Sequence, residues 1–136
     1  MNISHFTQED LNLLATLDIL YVEDEDTTRK AFSGILSRFV KSLTTAENGL
    51  RGLELFKESE PDMVITDVEM PIMGGVEMVL KIREISPKKT IIVITAFKDE
   101  AHKIDDADLV LVKPIRRDVL LEALISEAKK LSHILQ

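Results

Sequence analysis

Four short β-branched runs constrain this chain more than any other feature: "DILYV" (Asp18–Val22), "MVIT" (Met63–Thr66), "TIIVIT" (Thr90–Thr95) and "DLVLV" (Asp108–Val112). Each is apolar almost throughout instead of alternating, the pattern of parallel strands buried on both faces. "KSLTTAEN" (Lys41–Asn48) reads as a weaker strand. Helical periodicity fills the gaps. Phe32, Ile35, Leu36 and Phe39 recur at helical spacing within Asp26–Phe39, and Leu50, Leu53 and Phe56 do so within Gly49–Glu58. Val76, Val79, Leu80 and Arg83 repeat the pattern within Gly74–Ile85, and "SPKK" stops it. Strand-then-helix units in this rhythm predict a doubly wound α/β domain, a five-stranded parallel sheet with helices on both faces.

Composition narrows the function. A chain of 136 residues suits one domain, and 45% hydrophobic residues suffice for a core. No apolar run nears the roughly 18 residues of a membrane span. "MNISHFTQED" lacks the basic start and apolar middle of a signal peptide, so a cytoplasmic protein with no membrane partner is expected. The absence of cysteine excludes disulfides and thiolate chemistry. A net charge of −7 argues against direct nucleic acid binding by this chain. His5, His102 and His133 are scattered, without paired metal spacing, and no Gly-x-Gly-x-x-Gly loop follows a strand.

Ligands of open parallel sheets bind beyond the carboxyl ends of the strands, so the residues there matter most. Glu23 and Asp24 follow the first strand, Asp67 follows the third, Thr95 ends the fourth and Lys113 follows the fifth. Each is ordinary alone. "EDED" (Glu23–Asp26) suits a helix N-terminus, and Asp67 suits a turn before "MP". Their joint placement is what points to a site. A common order for such sheets, 2-1-3-4-5, belongs to the fold type and is not read from these residues; it would set Asp24 against Asp67. Two carboxylates about 4 Å apart repel by roughly 4 kcal/mol at an effective dielectric near 20. A hard divalent cation relieves that repulsion, and Mg²⁺ favours oxygen sites shared with phosphate. Thr95 and Lys113 offer a donor and a positive charge to phosphoryl oxygens.

Taken together, "ILYVEDE", "VITDVEMPIMGG", "IIVITAF" and "LVLVKPI" resemble the receiver domain of two-component response regulators, the CheY-like family, from about Asp18 to about Ala128. The resemblance implies a flavodoxin-like sheet of order 2-1-3-4-5 and Asp67 as phosphoacceptor. It implies Mg²⁺ held by Glu23, Asp24, Asp67 and the main-chain carbonyl of Glu69. Thr95, Ala96 and Lys113 would bind the phosphoryl group, with a cis peptide before Pro114. The donor would be a sensor histidine kinase or a histidine phosphotransfer protein. Such a chain promotes its own phosphorylation and dephosphorylation and is not a conventional turnover enzyme. Glu69 and Phe97 sit where the family tunes the lifetime of the acyl phosphate. Asp67, Thr95 and Lys113 also faintly resemble the haloacid dehalogenase-type phosphatases, but the acidic pair comes early and no cap is evident. A third reading is a receiver-like interaction module that is never phosphorylated, against which the intact site set counts.

Three departures from the family pattern stand out. Val110 occupies the position of the family's switch aromatic, three residues before Lys113. The stretch Phe97–Asp108, "FKDEAHKIDDAD", has few apolar anchors and predicts a short or mobile fourth helix. Residues 1–17 precede the domain at 18–128, and "TQEDLNLLATL" predicts an extra helix with Thr7 as N-cap and Asp10 three residues on. Residues 129–136 extend the last helix. There Leu120, Leu121, Leu124, Ile125, Ala128, Leu131 and Leu135 form a stripe that outruns the sheet. It suits packing within the chain or a homodimer through that helix.

Overall fold

Side-chain alternation along the strands divides the core into two layers. The structure, a computed structural model, describes residues 5–96 and 104–135, with side chains to Ser132. Strands β1 (Asp18–Val22), β2 (Ser42–Ala46), β3 (Met63–Asp67), β4 (Thr90–Thr95) and β5 (Leu109–Val112) form one parallel sheet in the order β2-β1-β3-β4-β5. Ile19, Tyr21, Met63, Ile65, Ile92 and Ile94 point into one layer. Leu20, Val22, Val64, Ile91 and Val93 point into the other. Helices α2 (Asp26–Leu36) and α5 (Arg117–Leu135) cover the first layer with Leu36, Leu120, Leu121, Leu124 and Ala128. Helices α3 (Gly49–Ser59) and α4 (Gly75–Ile85) cover the second with Leu53, Phe56, Met78, Val79 and Ile82. Burial from both sides is why the central strands are uniformly apolar. Edge strand β2 is mostly half-buried or exposed, which accounts for its polar sequence "SLTTA".

Three helices differ from the periodicity read in the sequence. The buried face of α4 is Gly75, Met78, Val79 and Ile82, whereas Val76 and Leu80 are exposed. Close approach of α3 turns Met78 inward: a Cβ on Gly52 would lie 2.7 Å from the Met78 sulfur. Arg83 serves as a clamp instead of a core residue. Its guanidinium donates to the carbonyls of Asp106 at 2.6 and 2.9 Å, Pro87 at 3.1 Å and Lys89 at 2.5 Å, and to the Asp108 carboxylate at 3.1 Å. Helix α2 ends at Leu36, so Phe39 packs on the core from the following turn. Leu50, in the first turn of α3, is exposed. Phe97 and the rest of 97–103, where a short or mobile helix is expected, lie outside the described residues, as does His102. Ile104–Asp108 run as turn and coil into β5.

Helix α1 (Gln8–Leu14) forms as its capping box predicts: the Asp10 amide donates to the Thr7 hydroxyl at 3.0 Å, and the Thr7 amide donates to the Asp10 carboxylate at 3.1 Å. Leu14 is fully buried, and Phe6, Leu11 and Leu13 pack at the margin of the same core. Ala15 caps the C-terminus and is exposed. The helix lies along α5, where Lys129 pairs with Asp10 at 3.2 Å and His5 with Glu122 at 3.0 Å. Leu13 and Leu17 share a cavity wall with Ala128 and Leu131. Part of the apolar stripe that outruns the sheet is thus covered within the chain. Leu14→Ala is expected to cost about 3 kcal/mol in urea unfolding, the usual range for a buried leucine, while Leu80→Ala changes stability by less than ~0.5 kcal/mol.

Candidate functional site

Parallel pairing puts every strand's carboxyl end at one edge, and register decides which residues meet there. Val22 lies opposite Thr66, so the next residues, Glu23 and Asp67, leave neighbouring strands side by side. Thr95 pairs with Val112, and the Lys113 amide donates to the Thr95 carbonyl at 2.8 Å, which carries Lys113 to the same edge. There the Lys113 ammonium donates to Asp67 Oδ2 at 3.0 Å and reaches Glu23 Oε1 at 3.4 Å. Asp67 Oδ1 accepts from the Val68 amide at 2.8 Å. Carboxylate oxygens of Glu23, Asp24 and Asp67 lie within 4.8 Å of one another. Asp67, Val68, Glu69, Thr95, Ala96 and Lys113 line a cavity of about 220 Å³ above them. The Lys113–Pro114 peptide is cis. Val110 is half-buried and, like Ile104 and Ala107, packs at the margin of the second core layer.

The acidic run "EDED" does two jobs. Glu25 is the N-cap of α2 and accepts from the amides of Thr27 at 3.3 Å and Thr28 at 2.5 Å. Asp26 sits in the first helical turn and pairs with Arg29. Glu23 and Asp24 precede the helix and belong to the cluster. Arg29 also donates to the Glu23 carbonyl at 2.8 Å, and the Glu23 amide donates to Ala46 at 3.0 Å, so the main chain at the acidic turn is held from two sides.

Crowding shapes the charges. Burial, then the hydrogen bond and charge of Asp67, push the Glu23 carboxyl up to about 7, against a smaller opposing pull from Lys113. Partial burial draws the Lys113 ammonium down, but its hydrogen bond and ion pair with Asp67 outweigh this and raise it above its ordinary value. Behind Glu23, burial and the Glu23 charge keep Tyr21 a neutral phenol.

Residues that sequence reading passed over hold the loop after Asp67. The Thr66 hydroxyl donates to the Asp67 carbonyl at 2.8 Å. A Cβ on Gly75 would lie 2.0 Å from that same carbonyl, and one on Gly49 would lie 2.4 Å from the Met73 carbonyl. The paired glycines after "MPIM" were the available signal, because glycine marks places where backbone approaches backbone.

Residues 19–125 match the response regulator receiver domain. The chain belongs to that family. It is a receiver domain of two-component response regulators, and the sheet order is the one the family resemblance implies. It is 30% identical over 110 residues to the chemotaxis protein CheY of Halobacterium salinarum, covering 78% of this chain and 92% of that protein. It spans about half of a longer relative, the transcriptional regulatory protein LnrK of Bacillus subtilis, at 29% identity and covering 81% of this chain and 53% of LnrK. Among solved structures, the Thermotoga maritima response regulator TrrA in complex with Mg²⁺ and BeF superimposes with a TM-score of 0.72 at 32% identity, covering 79% of this chain and 96% of that one. No helix among the described residues is long and apolar enough to cross a membrane.

Free Glu23 ionises near 4.5, and in the fold it does so near 7. Between those values the folded state retains a proton the unfolded chain has lost, so stability falls as pH rises through this window and stays lower above it. Glu23→Gln is therefore expected to match the wild type below pH 4.5 and to exceed it increasingly up to about 7, by on the order of 2 kcal/mol. Denaturant titrations in EDTA across that pH range check it.

Proposed function

We propose that this receiver domain accepts a phosphoryl group from a phosphohistidine donor onto a carboxylate oxygen of Asp67. The observation that carries the reading is one ammonium, Lys113, bonded to Asp67 Oδ2 beside two further carboxylates. A nucleophilic carboxylate with a cation at one oxygen and a small cavity beside it suits attack on phosphorus, in which positioning and charge neutralisation do most of the work. The Asp67 oxygen forms the new P–O bond as the P–N bond to the donor histidine breaks, and the imidazole leaves with its electron pair. Lys113 neutralises an equatorial phosphoryl oxygen, and Thr95 and Ala96, on the cavity wall, would contact the phosphoryl group.

The donor set fits a hard divalent cation. It offers only oxygen, its atoms lie within 4.8 Å, and the Glu23 carboxyl, raised by burial and then by Asp67, is one whose ionised form a bound cation favours. Glu23, Asp24 and Asp67 would hold Mg²⁺, with the main-chain carbonyl of Glu69, which lines the same cavity, as a further ligand. Bound there, Mg²⁺ supplies charge neutralisation for the transferring phosphoryl group. The family's sensor histidine kinases and histidine phosphotransfer proteins are the donor class this chemistry requires. Val110, where the family places a switch aromatic, is an aliphatic residue at the margin of the second core layer, so the conformational output runs through other residues than an aromatic rotation at that position.

Wild-type protein incubated with phosphoramidate and Mg²⁺ is expected to form a hydroxylamine-sensitive adduct. EDTA should suppress it at least tenfold, and Asp67→Asn should abolish it. Labelling of Asp67→Asn at the wild-type rate would overturn the reading. The apparent Mg²⁺ affinity should rise from pH 6 to 8 as Glu23 loses its proton.

A further inference from the structure

Ile72 combines two features that a fold does not keep for its own sake. Its φ is 69°, in the left-handed region where a β-branched residue is strained. Its side chain is 77% exposed, so almost none of its apolar surface is buried in return. The Met73 amide donates to the Pro71 carbonyl at 2.7 Å, which makes Ile72 the apex of a positive-φ γ-turn, a rare and strained form. The turn cannot relax by shifting the loop. The Gly75 amide donates to the Val68 carbonyl at 2.7 Å, and the Gly49 amide donates to the Met73 carbonyl at 2.9 Å. Glycine would suit this backbone better and expose no hydrocarbon.

The loop's position says what would cover that side chain. Gly75 rests against the Asp67 carbonyl, and Ile72 lies three residues before it, within roughly 11 Å of extended chain. A protein bound over Asp67 with an ordinary footprint of ~800 Å² reaches roughly 16 Å from its centre. Such a partner reaches Ile72. Leu50 and Val76, also exposed, flank the same loop: Leu50 follows Gly49, which bonds to Met73, and Val76 follows Gly75. A small phosphodonor needs only the 220 Å³ cavity and touches none of them.

We propose that Ile72 is a specificity-determining anchor for the protein phosphodonor: its side chain is buried by an apolar contact on that donor beside the phosphohistidine. This rests on the phosphoacceptor reading above and adds which part of the acceptor loop recognises the donor. The strained turn keeps this exposed side chain on the loop that follows Asp67, and docking buries the hydrocarbon that the free domain leaves in water.

The test separates small from protein donors. Wild type, Ile72→Gly, Ile72→Asn and Ile72→Met are labelled with phosphoramidate. The same four are then labelled by the phosphorylated histidine protein of the host that labels the wild type fastest. Ile72→Gly is expected to melt a few degrees higher, because glycine relieves the turn. Phosphoramidate labelling should stay within twofold for every variant. With the protein donor, Ile72→Gly and Ile72→Asn should lose at least tenfold in kcat/KM, mainly through KM, and Ile72→Met should stay within threefold of wild type. Wild-type transfer to the Gly and Asn variants would overturn the proposal. So would equal losses with both donors, which would mean that residue 72 acts by shaping the loop around Asp67. A wild type labelled by phosphoramidate but by none of the host's phosphohistidine proteins would also overturn it. A wild type that phosphoramidate fails to label would instead defeat the underlying acceptor reading.

Discussion

The ammonium of Lys113, shared between Asp67 and Glu23, is the interaction on which the chemistry of this domain depends. Three carboxylates drawn within 4.8 Å of one another would otherwise repel at the edge of an apolar sheet. One positive charge offsets only part of that repulsion, and the residue is visible in Glu23, whose carboxyl burial and Asp67 push up to about 7. The edge is thus under-neutralised, which is the condition that the proposed Mg²⁺ and phosphoryl group would relieve. A fully compensated cluster would be a more stable fold and a poorer acceptor.

Backbone geometry sets the rest. The Lys113–Thr95 main-chain bond lengthens the β4–β5 pairing by one residue and brings the ammonium to the edge. Gly75 lets α4 begin against the Asp67 carbonyl, and Thr66 bonds to that carbonyl from the strand side. These contacts hold the acceptor's main chain while its two carboxylate oxygens stay available to Val68 and Lys113. The same tight closure forces the left-handed turn at Ile72, so the loop that positions the acceptor also projects an apolar side chain beside it.

Much of this was legible in the residues. Uniform apolar strands announced a sheet covered on both faces, and the residue after each strand announced the site, because parallel pairing sends all carboxyl ends to one edge. The capping box at Thr7 and Asp10 announced α1 from local hydrogen bonding alone. Less legible was which face of α4 is buried. Val76, Val79, Leu80 and Arg83 keep helical spacing as well as Met78, Val79 and Ile82 do, and only the approach of α3 at Gly52 selects the second set. Arg83 looked like one member of a stripe and turned out to hold the entry to β5 through three carbonyls and a carboxylate, partners at positions 87 to 108 that local periodicity does not encode.

Sequence by itself determined the strands, the chemistry at their ends and the family, since these follow from burial pattern and residue type read along the chain. Tertiary structure decided the distances: that Lys113 bridges Glu23 and Asp67, that Glu25 caps a helix while its neighbours Glu23 and Asp24 join the cluster, and that α1 covers part of the apolar stripe of α5. The physical reason is the range of the interactions. Propensity and capping act over a few residues, whereas the charge balance at the sheet edge sums groups 90 residues apart that only the fold makes neighbours.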